Sequence, residues 1–127
     1  MGEVAGCGLL AQVPTVMLPK AIRYELNNGR EFSVVTVDVE KAVEREFNAW
    51  YNDVHVPEVL ACPGWLEGAR YVSTDGEPRY MAMYEMASED AMWTPELQAI
   101  KGFGPYWKNL ESYHSRVYRR IHHATSA

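Results

Sequence analysis

The sequence predicts an α+β domain with the element order βαββαβ, its four antiparallel strands forming one sheet and its two helices covering one face. Three observations carry this. Residues 32–39 (FSVVTVDV) are β-branched and nearly alternating, as in a half-buried strand. Val43, Phe47, Trp50 and Tyr51 recur at helical spacing with charged residues opposite, which makes one apolar helix face. Two further alternating runs flank Asp75-Gly76, a hairpin signal.

Taken in order, the first thirty residues hold breaker signals at Pro14, Pro19 and Asn27-Asn28-Gly29, with a short helix or strand over Ala21–Leu26. They are read as an extension (1–30) wrapped on the domain, which spans 31–122 and leaves a tail at 123–127. The first helix follows the first strand over 41–53. Pro57 disfavours helical geometry at Val56, so the helix is expected to break at His55-Val56-Pro57. A short turn over 58–61 is then stopped by Cys62-Pro63-Gly64. Trp65–Ser73 and Arg79–Met86 form the hairpin. Ser88 caps the next helical stretch, which runs to Ile100 with a second start at Thr94-Pro95. Gly102 and Gly104 end it, Tyr106–Leu110 makes one more turn, and Tyr113–Ile121 alternates as the fourth strand.

This order is the ferredoxin-like split βαβ unit. It leaves one sheet face uncovered in a single copy. Tyr80, Tyr84 and Tyr113 are expected on that face, with sheet-to-sheet dimerisation covering it and leaving a cavity at each end.

Composition narrows the function classes. The chain has 127 residues, 47% of them hydrophobic and 23% charged, enough for one domain with a real core. The net charge of −5 comes with scattered Lys and Arg, which excludes a basic nucleic-acid footprint and an anionic membrane surface. No apolar run approaches the roughly 20 residues of a membrane span. Glu3 stands where a secretory leader would carry positive charge, so a cytoplasmic protein is expected, with Cys7 and Cys62 as free thiols.

Residues 46–57 read EFNAWYNDVHVP, and Pro63-Gly64-Trp65 and Arg70-Tyr71 follow. These segments resemble the EthD-like branch of the dimeric α+β barrel superfamily, whose members often show W-Y-x-x-H-x-P at the end of the first helix. P-G-[FW] and R-[YF] then lead into their second strand. The resemblance covers residues 32–121. It implies a homodimeric barrel, a pocket for a small apolar or aromatic substrate, and no cofactor. It also implies chemistry in which a histidine, helped by Tyr or Asp, moves a proton; His55 matches that histidine. Relatives are implicated in ether degradation, and similar barrels include methylmuconolactone isomerases, polyketide cyclases and decarboxylases, so no single substrate is implied.

The candidate residues follow. His55 titrates near neutrality and sits where the helix meets Pro57; it either exchanges a proton or ties the helix end to the next loop. Tyr51, four residues earlier, shares its face if the helix persists, and a phenol there orients the imidazole or stabilises an oxyanion. Tyr51 and Trp50 are equally readable as core. Asn52 and Asp53 either polarise the imidazole or cap the helix end. Arg70 binds a substrate carboxylate if it faces the cavity and is a surface charge if it does not. Tyr80 and Tyr84 share one face, whereas Tyr113 and His114 have opposite parity, so only one of these two lines a cavity. Trp93, Phe103, Tyr106 and Trp107 surround Gly102 and Gly104 as a lid or a packed corner. His122-His123 lacks a third ligand for a metal.

The expectation is therefore an isomerase, lyase or cyclase. His55 and Tyr51 are catalytic, and Trp50, Arg70, Tyr80, Tyr84 and Trp107 bind an aromatic or apolar carbonyl or carboxyl compound. A non-catalytic binding protein and a haem-handling monooxygenase are the alternatives.

Overall fold

The computed structural model describes residues 30–126. The expected extension, with its element at 21–26, its turn at 27–29 and Cys7, lies outside the described residues, as does residue 127. The elements are β1 (Glu31–Val39), a 3-10 turn (Lys41–Val43), α1 (Glu44–Trp50), a π turn (Tyr51–His55), α2 (Val56–Leu60), β2 (Trp65–Val72) and β3 (Tyr80–Met86). A 3-10 turn (Glu89–Trp93), the short α3 (Pro95–Gln98), a 3-10 turn (Gly104–Asn109) and β4 (Leu110–Arg119) complete the fold. The strands make one antiparallel sheet in the order β2-β3-β1-β4, with β1 and β3 at its centre.

Alternation decides which face is covered. Ser33, Val37 and Val39 on β1 and Tyr80, Ala82, Tyr84 and Met86 on β3 are buried, and their intervening neighbours are more exposed. These residues meet Phe47, Tyr51 and Val59 from the helical layer, the largest fully buried side chains being Tyr51, Phe47, Met86 and Val37. Each such side chain contributes about 1.5–3 kcal/mol by leaving water. Glu31, only 7% exposed, is matched by Arg119 at 2.9 and 3.1 Å and by the backbone N–H of Glu89, so the buried carboxylate pins β4 and the segment after β3 to the start of β1.

The other sheet face carries no helix among the described residues. Phe32, Val34, Ala69, Tyr71, Met81, Met83 and Tyr118 lie on it, with Tyr71 and Tyr118 about half exposed. This corrects the expectation for Tyr80, Tyr84 and Tyr113. In the register Val72 faces Tyr80, Gly68 faces Tyr84 and Val37 faces Tyr113, which puts all three tyrosines on the helix-covered side. The parity was legible, but its sign depended on which β1 residues face the helices.

A second correction concerns Pro57. The helix does not break before it. Val56 has φ −60° and ψ −47°, and its N–H bonds to the Tyr51 carbonyl in a wide i→i+5 turn. Pro57 enters as the first turn of α2, where its missing N–H is tolerated. The expected caps are in place. Ser88 accepts from the Asp90 N–H, and Thr94 Oγ1 accepts from the Leu97 N–H ahead of Pro95. No helix among the described residues is long and apolar enough to cross a membrane.

Candidate small-molecule site

A cavity of about 240 Å3 lies between the covered sheet face and the helical layer. Its floor is Ser33 and Val35 from β1, Tyr84 from β3 and Tyr113 and Ser115 from β4. Tyr51, His55 and Val59 form one wall, and Met92, Leu97 and Ile100 form another. Trp65, Gln98, Gly102, Phe103 and Trp107 complete it.

His55 reaches this cavity because of the wide turn. Phe47, Tyr51, His55 and Val59, each four residues apart, make one buried stripe. In a regular α-helix four residues turn through about 400°, so such a stripe drifts by ~40° at each step. The wider turn at 51–55 takes up that drift in the middle of the stripe. The sequence pattern W-Y-x-x-H-x-P also proves to be one residue short for this chain. Asn52, Asp53 and Val54 all stand between Tyr51 and His55, so the chain departs from that pattern by one residue, within the π turn.

The imidazole is packed among rings. Trp50 stacks on it at 5.1 Å between centroids and 16° between planes, Tyr51 meets it edge-on at 4.9 Å, and Phe103 lies at 6.0 Å. Its Nδ1 is buried without a hydrogen-bond partner, the nearest acidic oxygen being Glu58 Oε1 at 4.0 Å. Burial, and then the positive charge of Arg70, lower its pKa from 6.5 to about 4, so His55 is neutral at pH 7.

The two phenols beside it shift the other way. Burial pushes Tyr51 up to about 12, Arg70 acting against that rise. Tyr84 is raised further, first by burial and then by the neighbouring Tyr51. Both hydroxyls stay protonated at neutral pH and are available as donors. The buried Tyr84 hydroxyl turns toward the Tyr51 hydroxyl, and the two phenols interact as a pair. The ring of Tyr84 lies flat against β2 because Gly68 has no side chain there: a Cβ would fall 2.8 Å from Tyr84 Cδ1.

The remaining candidates divide. Trp107 lines the cavity half-exposed, with its indole N–H on the Lys101 carbonyl at 3.1 Å. Gly102 at φ +52° lets that indole close over it, so the Gly-rich segment forms a packed corner with Phe103 at its centre. Trp50, Arg70 and Tyr80 do not line this cavity. Trp50 stands behind His55. Tyr80 donates to Glu44, and Arg79 braces that carboxylate at 3.0 Å, which holds Glu44 below the usual carboxylate range. Arg70 lies on the far side of Tyr51, its guanidinium 4.1 Å from that ring's centroid. Asn52, expected near the imidazole, accepts from Arg70 instead. Of the opposite-parity pair, Tyr113 lines the cavity and His114 is on the open face.

Sequence reasoning missed Ser33, Ser115 and Trp65. The two serines follow from the parity of Tyr113 once its direction is known, since Ser115 faces Val35 across the ladder. Trp65 anchors the wall through its indole N–H on the Ala91 carbonyl at 3.1 Å and an edge contact with Tyr84 at 5.4 Å. Among the described residues no group of three His, Cys, Asp or Glu side chains converges to hold a metal.

With this geometry in place, comparison with solved structures returns the same fold. An ethyl tert-butyl ether degradation (EthD) family protein of Bacillus halodurans aligns over 72% of this chain and 99% of its own, at 13% identity and a TM-score of 0.56. A monooxygenase of Streptomyces coelicolor, solved in complex with the ligand nanaomycin D, covers 80% and 95% at 16% identity and a TM-score of 0.55. A conserved protein of Methanosarcina mazei covers 72% and 94% at 18% identity and a TM-score of 0.54. At these identities the likeness is one of fold: it is the ferredoxin-like fold implied by the resemblance to the EthD-like barrels. No curated protein matches the sequence. The model of a domain of unknown function, DUF4286, matches residues 33–104, more than half of the chain, from within β1 to the cavity-lining corner at Phe103; the chain belongs to that family.

Proposed function

We propose that this chain is a small-molecule enzyme of the isomerase, lyase or cyclase kind, acting by proton transfer on an aromatic or apolar carbonyl compound held between sheet and helices. The observation that carries the reading is the pair of buried phenols, Tyr84 and Tyr51, set beside the His55 imidazole, whose Nδ1 is buried without a partner, in a largely apolar cavity. With the Tyr84 hydroxyl turned to Tyr51, the Tyr51 proton is left for a ligand oxygen. Tyr51, supported by Tyr84, donates to the substrate oxygen as negative charge develops there. His55, neutral at pH 7, is in the form that accepts a proton, and Glu58, 4.0 Å from Nδ1, supplies the counter-charge to the imidazolium. A cavity of about 240 Å3 is smaller than the usual ligand pocket of about 300–1,000 Å3, which favours a single-ring compound.

The monooxygenase solved with nanaomycin D is similar in fold to this chain and binds a small molecule, which supports the class of ligand and leaves the reaction open. The test is a thermal-shift screen against aromatic ketones, lactones and acids, with Tyr84→Phe and His55→Ala beside the native protein. A bound ligand raises the melting temperature by mass action. The expected pattern is a hit weakened in Tyr84→Phe and turned over by the native protein alone. Ligand binding with identical turnover in His55→Ala would overturn the catalytic role, and binding with no turnover in any form points to a binding protein.

The assembly proposed with it is a homodimer through the open sheet face. Phe32, Val34, Met81, Met83, Tyr71 and Tyr118 make that face apolar enough to favour a covering partner. Sedimentation of the native chain and of Met83→Glu tests it. A dimer that the charge splits is expected, and a native monomer at tens of micromolar removes the proposal.

A further inference from the structure

A second concavity, of about 600 Å3, runs along the outer edge of the sheet between β2 and the α1–π-turn segment, on the far side of Tyr51 from the cavity. Arg70, Asn48, Asn52 and Tyr80 line it. Arg70 is the unusual member. Its aliphatic stem rises from the helix-facing side of an edge strand, and its guanidinium lies over the Tyr51 ring at 4.1 Å and near the Tyr80 ring at 5.5 Å. Both contacts suit a cation, and neither neutralises it.

The hydrogen bonds are equally telling. Nη1 donates to Asn52 Oδ1 at 2.9 Å and Nη2 to Asn48 Oδ1 at 2.8 Å. These acceptors are neutral carboxamides, one helical turn apart, and no carboxylate among the described residues pairs with Arg70. Its Nε is buried without a partner. A guanidinium has five N–H donors in a planar fork, so most of them remain unengaged here. Each Asn, turning its oxygen to Arg70, keeps two amide N–H donors for a further acceptor. The arrangement is a half-buried cation held in place by neutral braces, with surplus donors and no anion. Buried charges are ordinarily paired, and this one is positioned for a partner from outside.

We propose that the groove at Arg70 is a carboxylate-binding site, separate from the cavity at His55, in which the guanidinium and the Asn48 and Asn52 amides hold a planar carboxylate. The anion is a carboxylate because its two oxygens match a planar fork. Its source is a small acid that docks in the groove, since Tyr51, 1% exposed, stands between groove and cavity and the two share no lining residue.

The test uses benzoate as probe and benzamide as its neutral counterpart, at constant ionic strength set with sodium chloride. The Arg70 Nε–Hε resonance of the native protein is followed by NMR. Benzoate is expected to move that signal and the amides of residues 68–72 saturably, benzamide to leave them in place, and Arg70→Met to weaken benzoate binding about tenfold or more. His55→Ala should leave this titration unchanged, so failure of the cavity reading and failure of this one are distinguishable. No saturable movement with benzoate, or equal movement with benzamide, overturns the proposal.

Discussion

The depressed pKa of His55 makes a stability prediction whose sign and size can both be worked out. In the unfolded chain the imidazole titrates near 6.5; in the folded protein burial, and then Arg70, hold it near 4. Between those values the unfolded state binds the extra proton, so stability rises with pH across the window from about 4 to about 6.5. Read downward, the native protein loses stability as pH falls through 6.5, and the loss is complete below 4. At about 1.36 kcal/mol per unit, the full shift corresponds to about 3 kcal/mol. His55→Phe keeps a ring against Trp50, Tyr51 and Phe103 and has nothing to titrate. Urea unfolding of both proteins at pH 7, 6, 5 and 4, each in a Glu58→Gln background, isolates this group, because the carboxylates away from His55 contribute equally to the two curves. The variant should gain on the native protein by about 3 kcal/mol from pH 7 to pH 4. Parallel curves, or an imidazole NMR midpoint near 6.5 in the folded protein, would refute the burial argument and with it the neutral state assigned to His55.

Four further outcomes are expected. Phe47→Ala empties a fully buried site and should lower the unfolding free energy by about 3–5 kcal/mol in denaturant titration. Gly102→Ala should lower it by about 1 kcal/mol or more and alter tryptophan fluorescence, since φ is +52° and the added Cβ falls 2.5 Å from Trp107 Cζ2. Arg70→Met removes a positive charge that disfavours the imidazolium, so the His55 NMR titration midpoint should rise. Deleting Val54, which is 43% exposed, should leave a folded protein whose shifted histidine still titrates well below 6.5. A midpoint near 6.5 would show that the three residues between Tyr51 and His55 are needed to bury the imidazole.

The strands, the hairpin, both caps and the last 3-10 turn were legible because each rests on a local signal: alternation, a turn dipeptide, or a side chain meeting a backbone N–H two or three residues on. The two faces of the sheet were not. Alternation is symmetric, and only the pairing of Val37 with both Tyr80 and Tyr113 tells which set turns toward the helices. Arg70 escaped for a related reason. Its two readings, cavity or surface, left out the groove that forms only when β2 lies at the sheet edge beside Asn48 and Asn52. Ser33 and Ser115 carry no chemical signal alone, and they become cavity floor through the same register.

His55 shows how a local rule can be right in its physics and wrong in its outcome. Pro57 does remove a backbone donor, and its ring does crowd the carbonyl four residues back. A break is one relief of that crowding. A wide turn is another, because shifting the Val56 N–H to the Tyr51 carbonyl re-registers the ladder ahead of the ring. Which relief wins depends on tertiary packing. Phe47, Tyr51 and Val59 bury one stripe against the sheet, and a break at 55 would separate Val59 from it. The wide turn keeps that stripe whole and sets an imidazole in the middle of it, stacked on Trp50 and short of a partner at Nδ1. A core position filled by a desolvated histidine is a poor choice for stability, as its lowered pKa states in energetic terms. A desolvated imidazole in the cavity wall, next to two protonated phenols, is the kind of perturbed group that marks a functional site, and it is the ground on which the proton exchange proposed for His55 stands.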